Sequence, residues 1–302
     1  MLERGSDAGV EMNPVSPSRI RTILDRLDIH PSKALGQNFL ADANIRKIIM
    51  DTLGPEKKDS VLEIGPGLGV LTDQLIDRCA KIFAVEKDRR LYGYLKEKYA
   101  DEHRVELECA DFLDLDIREF MSGIYSSATG GFKLLSNLPY SSGSRILMEI
   151  ARCCPGPERL VVTVQSEVAE RITAPPGGKK RGLLSVWCGL TFSASKAGRI
   201  SPTCFFPRPE VQSNIVLMQR LPERKIDMNH KEEFFRLTKS AFLRRRKKLM
   251  TTIRHMSRIR REAADKAETY LSGSRAGINA RPEDLSVDEW IDIAKIIAGL
   301  RQ

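Results

Sequence analysis

Four short segments in the first half of the chain bring together residue types that could do chemistry. Gly65-Pro66-Gly67-Leu68-Gly69 follows the apolar run 61–64. Glu86 ends a second such run, twenty-one residues after Gly65, and Asp111 follows a third. Asn137-Leu138-Pro139-Tyr140 ends a fourth. Glycines after a strand let the backbone approach a ligand closely, and a helix N-terminus behind them adds positive partial charge. The same letters also make a plain tight turn. An acidic residue at the end of the second strand of a nucleotide-binding sheet accepts hydrogen bonds from ribose hydroxyls, and a carboxylate at the end of the third could reach an adenine amine. Asn-Leu-Pro-Tyr suits the exocyclic amine of a base. That lone pair is conjugated into the ring and is a poor nucleophile. The side-chain oxygen of Asn137 and the backbone carbonyl of Leu138 can accept both N–H bonds and favour a tetrahedral nitrogen, while Tyr140 offers a face for stacking.

The surrounding pattern supplies the elements that must position these groups. Apolar, β-branched runs at 60–65, 81–86, 105–110, 133–138 and 159–165 read as buried strands. Helical periodicity falls at 68–76, 89–99, 144–153 and 166–173, giving the βαβ units of a parallel sheet. Helices are also expected at 17–28 and from Asp42, a fair N-cap, to 53. A loop follows at 174–182. Two late strands, 190–200 and 213–219, are separated by a Pro-rich segment with no helix predicted between them, which implies an antiparallel end to the sheet. Residues 221–224 read as a linker and 231–302 as wholly helical. The expected organisation is a polar tail over 1–16, an α/β domain over 17–220 and a smaller helical domain over 223–302.

Length and composition narrow the class. The chain has 302 residues, enough for two domains of ordinary size. No apolar run reaches the ~18–20 residues of a membrane helix, and the polar N-terminus does not read as a signal peptide. The six cysteines form no C-x-x-C pair, and the four histidines are scattered, so neither a disulfide framework nor a metal site is expected. The net charge is +9, from 49 basic and 40 acidic residues. Residues 236–261 hold eleven Lys/Arg and no Asp/Glu; the rest of the chain has 38 basic against 40 acidic residues, a net of −2. The whole positive excess sits in one stretch, which points to a polyanionic partner. Apolar Phe234, Leu237, Ala241, Leu249, Ile253 and Met256 flank Arg244, Arg245, Arg246, Lys247 and Lys248, so this segment is expected to be folded.

With Glu63 before it, the glycine turn reads E-x-G-x-G-x-G and resembles the class I methyltransferases that bind S-adenosylmethionine (SAM). Asn-Leu-Pro-Tyr behind such a turn is similar to the N6-adenine methyltransferases. The full set resembles the rRNA adenine dimethyltransferase family over about 32–290. It comprises Gly36-Gln37-Asn38-Phe39-Leu40 followed by Asp42, residues 63–69, Gln165-x-Glu167-x-Ala169-x-Arg171, Phe205-x-Pro207-x-Pro209-x-Val211-x-Ser213, Ala241-Phe242-x-x-Arg245-Arg246-Lys247 and Arg281-x-Glu283-x-Leu285-Ser286.

The resemblance implies a Rossmann-like class I methyltransferase sheet with a helical C-terminal domain. It implies SAM and no metal as cofactor, with Gln37, Asn38 and Leu40 over the methionine end, Gly65 and Gly67 along its backbone, Glu86 on the ribose, and Asp111 and Phe112 at the adenine. Asn137, Leu138, Pro139 and Tyr140 would form the target-base site beside the cofactor, with Phe205 stacking on the flipped base from the other side. Alignment of the amine with a sulfonium methyl is mostly orientation catalysis. Arg244 to Lys248 would contact RNA. The implied activity is dimethylation of two adjacent adenines near the 3′ end of small-subunit rRNA, late in assembly, by a cytoplasmic protein, with a monomer as the default. The chain departs from the family pattern at Ser141-Ser142-Gly143-Ser144, at Gln212 and at Gly182-Leu183-Leu184-Ser185-Val186, which bears on rate and substrate contacts. The competing readings are a large-subunit methylase of the macrolide-resistance type, a ribosome-assembly factor whose methylation is dispensable, and a NAD-dependent oxidoreductase.

Overall fold

The computed structural model describes residues 16–31, 36–128, 131–153, 156–222, 226–256 and 259–299. The expected tail, except Ser16, and part of the linker at 221–224 lie outside them. In chain order the elements are α1 (Pro17–Arg26), β1 (Phe39–Leu40), α2 (Ala43–Leu53), β2 (Ser60–Ile64), α3 (Thr72–Leu75), β3 (Lys81–Glu86), α4 (Arg89–Lys98), β4 (Val105–Cys109), α5 (Ile117–Ser127) and β5 (Phe132–Asn137). They continue with α6 (Gly143–Arg152), β6 (Arg159–Gln165), α7 (Ser166–Ile172), α8 (Leu183–Thr191), β7 (Phe192–Ile200), β8 (Phe205–Phe206) and β9 (Ser213–Arg220). Four C-terminal helices follow: α9 (Met228–Leu243), α10 (Leu249–Arg254), α11 (Arg261–Gly273) and α12 (Val287–Ala298).

Seven strands form one sheet in the order β4-β3-β2-β5-β6-β9-β7. The first five are parallel; β9 runs antiparallel to both β6 and β7. This is the mixed α/β sheet the sequence implies. Every residue of β2 is buried, as befits a central strand covered on both faces. Alternate residues feed two cores: Leu62, Leu134 and Leu160 pack on one face, and Val61, Leu135 and Val161 on the other. Asp42 caps α2 as expected, accepting from the N–H groups of Asn44 and Ile45 at 2.9 Å.

Several local expectations are corrected. The helix expected at 68–76 shrinks to the single turn of α3, because the glycine turn continues through Gly69. The helices α5 and α8 were not expected. α8 (LLSVWCGLT) has almost no polar face, because it is buried on two sides. Its Leu184 and Cys188 belong to the sheet core, and its Val186, Trp187 and Leu190 to the core of the C-terminal helices. The cores on the two sides of the expected 220/223 boundary therefore share this helix. The basic run lies in the stretch 231–302 read as wholly helical, but it forms the turn between α9 and α10. The apolar residues flanking it are buried as expected, with Met256 packed at the edge. No helix among the described residues is long and apolar enough to cross a membrane.

Candidate active site

The four segments singled out by sequence converge on one cavity. Because β2, β3, β4 and β5 are parallel neighbours, the residues that follow them all emerge at one edge of the sheet. That cavity is lined by Gly65 and Gly67, Glu86, Asp111 and Phe112, and Asn137 to Tyr140. Gln37, Asn38 and Leu40 cover part of its wall. This cover is pinned by β1, which pairs antiparallel with β8.

The glycine turn is built for close approach. Gly65 has φ +69°, and a Cβ there would point into open space. Gly67, at φ +61°, lies against the ring of Phe39, which a Cβ would approach to 3.2 Å. The turn is tied to β3 through Glu86, whose carboxylate accepts from Gly67 N–H at 3.0 Å and from Asp88 N–H at 2.9 Å. Burial raises the Glu86 pKa, and those two N–H groups oppose it. Beneath the turn, Glu63 is fully enclosed and accepts from the Thr72 hydroxyl at 2.7 Å. Burial pushes its carboxyl up to about 8.

The Asp111 carboxylate accepts from Lys87 Nζ at 2.6 Å and from Leu113 N–H at 3.0 Å. Burial works to raise its pKa, but the Lys87 ion pair and the Leu113 N–H outweigh it and hold the carboxyl below its ordinary value. Phe112 is buried in the cavity wall, edge-on to Phe120. Gln37 Nε2 donates to Asp88 at 3.1 Å, which links the cover to the N-cap of α4.

Asn137 is fixed in one orientation. Its Nδ2 donates to the backbone carbonyl of Asn38 at 2.7 Å, and its Oδ1 accepts from the hydroxyl of Thr163. Turning the amide over would set its oxygen against the Asn38 carbonyl, which can only accept. Thr163 faces Asn137 in register on β6, and its own carbonyl accepts from Leu138 N–H at 3.2 Å. Tyr140 shares a 2.6 Å hydrogen bond with the buried Ser213 hydroxyl, which fixes the ring at the cavity wall. Sequence reasoning missed Thr163 and Ser213 as positioning groups. Nothing in the linear chain says which strand lies beside β5.

One expected site residue does not reach the cavity. Phe205 is 3% exposed and packs into the sheet core that also contains Leu40, Ile49 and Ile215. In the β1–β8 pair, Phe205 stands opposite Leu40 and Phe206 opposite Phe39, so alternation sends the two rings to different sides. Phe206 is the partly exposed ring, with the Arg21 guanidinium 5.3 Å from its centroid. The five expected RNA contacts lie outside the cavity. Arg245 donates to the Lys179 carbonyl at 2.8 Å and lies 3.4 Å from the Glu283 carboxylate, while Lys248 donates to Asn279 at 2.8 Å. Arg244, Arg246 and Lys247 are exposed.

The lining chemistry fits SAM. It holds four acidic residues, Glu63, Glu86, Asp88 and Asp111, of which the enclosed Glu63 keeps its proton at neutral pH, and one cation, Lys87. A cation with a ribose diol and an adenine amine finds acceptors there, and the open side of Gly65 leaves room beside the backbone. The pyrophosphate of a dinucleotide would face the same carboxylates.

Comparison with known proteins agrees with this geometry. The profile of the ribosomal RNA adenine dimethylase family matches residues 30–299. A protein from Natranaerobius thermophilus named ribosomal RNA small subunit methyltransferase A is 35% identical over 299 residues, covering 95% of this chain and 98% of its own. One of the same name from Syntrophus aciditrophicus is 35% identical over 271 residues, covering 90% of this chain and 95% of its own. Among solved structures, a dimethyladenosine transferase from Plasmodium falciparum superposes with a TM-score of 0.67 at 20% identity, covering 84% of this chain and 95% of that one. The 23S rRNA methyltransferase ErmE gives 0.64 at 23% identity, covering 86% and 99%. These two likenesses establish the shared fold.

Proposed function

The chain belongs to the ribosomal RNA adenine dimethylase family, and on that premise we propose that it methylates N6 of two adjacent adenines near the 3′ end of small-subunit rRNA, giving N6,N6-dimethyladenine, in late small-subunit assembly. The relatives that match at 35% identity bear the small-subunit name, which favours that substrate over the large subunit. The proposal places the protein in the cytoplasm, where subunits assemble.

When bound, SAM supplies an electrophilic methyl group on a positively charged sulfur. Glu86 and Asp111 are the acceptors for its ribose and adenine, and Gly65 and Gly67 give it backbone room. Asn137, Leu138, Pro139 and Tyr140 hold the target base. The observation that carries this reading is the fixed amide of Asn137, whose NH2 donates to Asn38 while its oxygen keeps a second lone pair beyond Thr163. That oxygen and the Leu138 carbonyl accept the two amine N–H bonds and turn the nitrogen lone pair out of conjugation. None of the four residues is a base at neutral pH, so the proton of the methylated nitrogen passes to water. Their contribution is orientation. An adenine must leave its stack to reach Tyr140.

The test is methyl transfer from labelled SAM to purified small and large ribosomal subunits from a strain lacking its own enzyme, with modified bases mapped by mass spectrometry. Dimethyladenine near the 3′ end of small-subunit rRNA is the expected result. Label in the large subunit would move the substrate to the resistance-type branch. SAM binding with no label in either subunit would favour an assembly factor.

A further inference from the structure

A second concave site lies away from the catalytic cavity. It is lined by Arg118 at the start of α5, Arg152 at the end of α6, Trp187 of α8, and Lys231, Glu232, Phe235, Arg236 and Lys239 along α9. Five cations and one carboxylate line it. None of these cations belongs to the turn 244–248, and α9 places Lys231 to Lys239 one or more turns before it.

The floor is rigid. Trp187 and Phe235 pack edge-to-face with centroids 4.9 Å apart, and Trp187 Nε1–H donates to Thr238 at 3.0 Å. The Arg152 guanidinium lies 5.6 Å from the Trp187 ring centroid and 5.4 Å from that of Phe235. Arg152 also pairs with Glu149 at 3.3 Å. Arg236 is anchored by the buried Glu233. These contacts hold two of the cations in place. No ion pair among the described residues engages Arg118, Lys231 or Lys239, which surround the same concavity from two different elements. Three cations outside any ion pair of the described residues converge on a preformed hollow that has the single carboxylate of Glu232 in its lining, so they repel one another until a further anion enters. A merely solvated face would spread them on a convex surface.

The position of this site matters as much as its charge. Residues at the N-terminal end of α6, Ser142 and Ile146, line the catalytic cavity. Arg152 is at the other end of this ten-residue helix, about 15 Å away at 1.5 Å per residue. Because β5 and β6 are parallel, α6 must return the chain to the opposite sheet edge, so Arg152 stands away from the strand ends that hold the target base.

We propose that this cleft binds the phosphate backbone of an rRNA segment other than the one presenting the target adenine, so that the protein grips its substrate at two separated places. The inference rests on the small-subunit rRNA reading above. It assigns Arg118, Lys231 and Lys239 to phosphates and gives Arg152, with its aromatic floor, the task of shaping the hollow.

The test is the triple variant Arg118→Gln, Lys231→Gln, Lys239→Gln in the full chain, which leaves the Arg152 and Arg236 pairs intact. Binding to protein-free small-subunit rRNA and to intact small subunits is measured over a salt series, with thermal melting as the fold control. Since log K falls with log salt by about 0.7–0.9 per phosphate neutralised, the variant should lose about two units of slope and roughly 30-fold in affinity at physiological salt. Its turnover at saturating subunits should stay at the wild-type value. An unchanged slope and affinity on rRNA overturns the proposal. Loss on intact subunits with none on protein-free rRNA also overturns it, in favour of an acidic protein surface. If the wild-type protein itself fails to bind or methylate small-subunit rRNA, the underlying substrate reading fails instead. If the triple variant melts early, Lys239→Gln alone, at an exposed residue, gives the same readout with about a third of the slope change.

Discussion

The cavity at the strand ends is lined by four acidic residues and one lysine, while the turn 244–248 is five cations in succession, in a protein whose net charge is +9. In the cavity the polar groups named above are bound to defined partners: Glu86 to two backbone N–H groups, Asp111 to Lys87 and Leu113, Asn137 to Asn38 and Thr163. In the turn, Arg244, Arg246 and Lys247 reach into solvent. On the proposed function the contrast separates two tasks. A small cation must be held in one pose, which requires groups whose orientation is settled before it arrives. A polyanion needs only a field, which flexible exposed cations supply and which salt screens.

The sharpest way to break this comparison is Asn137→Ala. Removing a fixed hydrogen-bond partner at the reacting group should cost about 10³-fold in single-turnover methyl transfer, with RNA affinity by filter binding within two-fold of wild type. A comparable loss of RNA binding would mean that the cavity and the basic surface are not separate.

The reciprocal variant, Arg244→Gln with Arg246→Gln and Lys247→Gln, should weaken RNA binding roughly 30-fold at physiological salt and flatten the salt dependence by about two units. SAM affinity by calorimetry should be unchanged. A change there would place the turn in the cofactor site.

Thr163→Val tests whether the cavity works by orientation. It keeps the side-chain shape and removes the hydroxyl that fixes Asn137 Oδ1. One lost hydrogen bond corresponds to roughly ten-fold in turnover. SAM affinity should not move, and Thr163→Ser should restore the rate. A Thr163→Val enzyme with wild-type turnover would show that Asn38 alone positions the amide.

A change that leaves the chemistry untouched is the pH dependence of stability from Glu63. Its pKa in the folded chain is raised to about 8 by burial, above the 4.5 of an exposed glutamate. The folded state therefore holds a proton that the unfolded state gives up between those values. The stability this contributes is full below 4.5 and is lost as pH rises through 8. Urea denaturation of the SAM-free protein should show wild type losing stability from pH 5 to 8. Glu63→Gln, which mimics the protonated form, should lose less; parallel curves would count against burial as the cause.

Much of this molecule could be read from its letters. The runs at 81–86 and 159–165 match β3 and β6 to the residue, since buried parallel strands are short apolar blocks bounded by charge and turn residues. The segments 63–69 and 137–140 could be assigned a chemistry because it demands those residue types in that order. The failures have equally specific causes. α8 lacked a helical period because it faces two cores. Phe205 and Phe206 are adjacent phenylalanines in a two-residue strand, and only its pairing with β1 decides which one turns inward.

The sequence by itself determined the five parallel strands and their order along the chain, most of the cavity residues, and the confinement of the positive excess to one stretch, because each depends on residue type and local spacing. The tertiary structure decided the rest. It placed Thr163 beside Asn137 and Ser213 beside Tyr140, partners 26 and 73 residues away in the chain. It also gathered Arg118, Arg152 and Lys231 around one hollow. Those juxtapositions follow from strand order and helix packing, which fix neighbours across distances that no local pattern encodes.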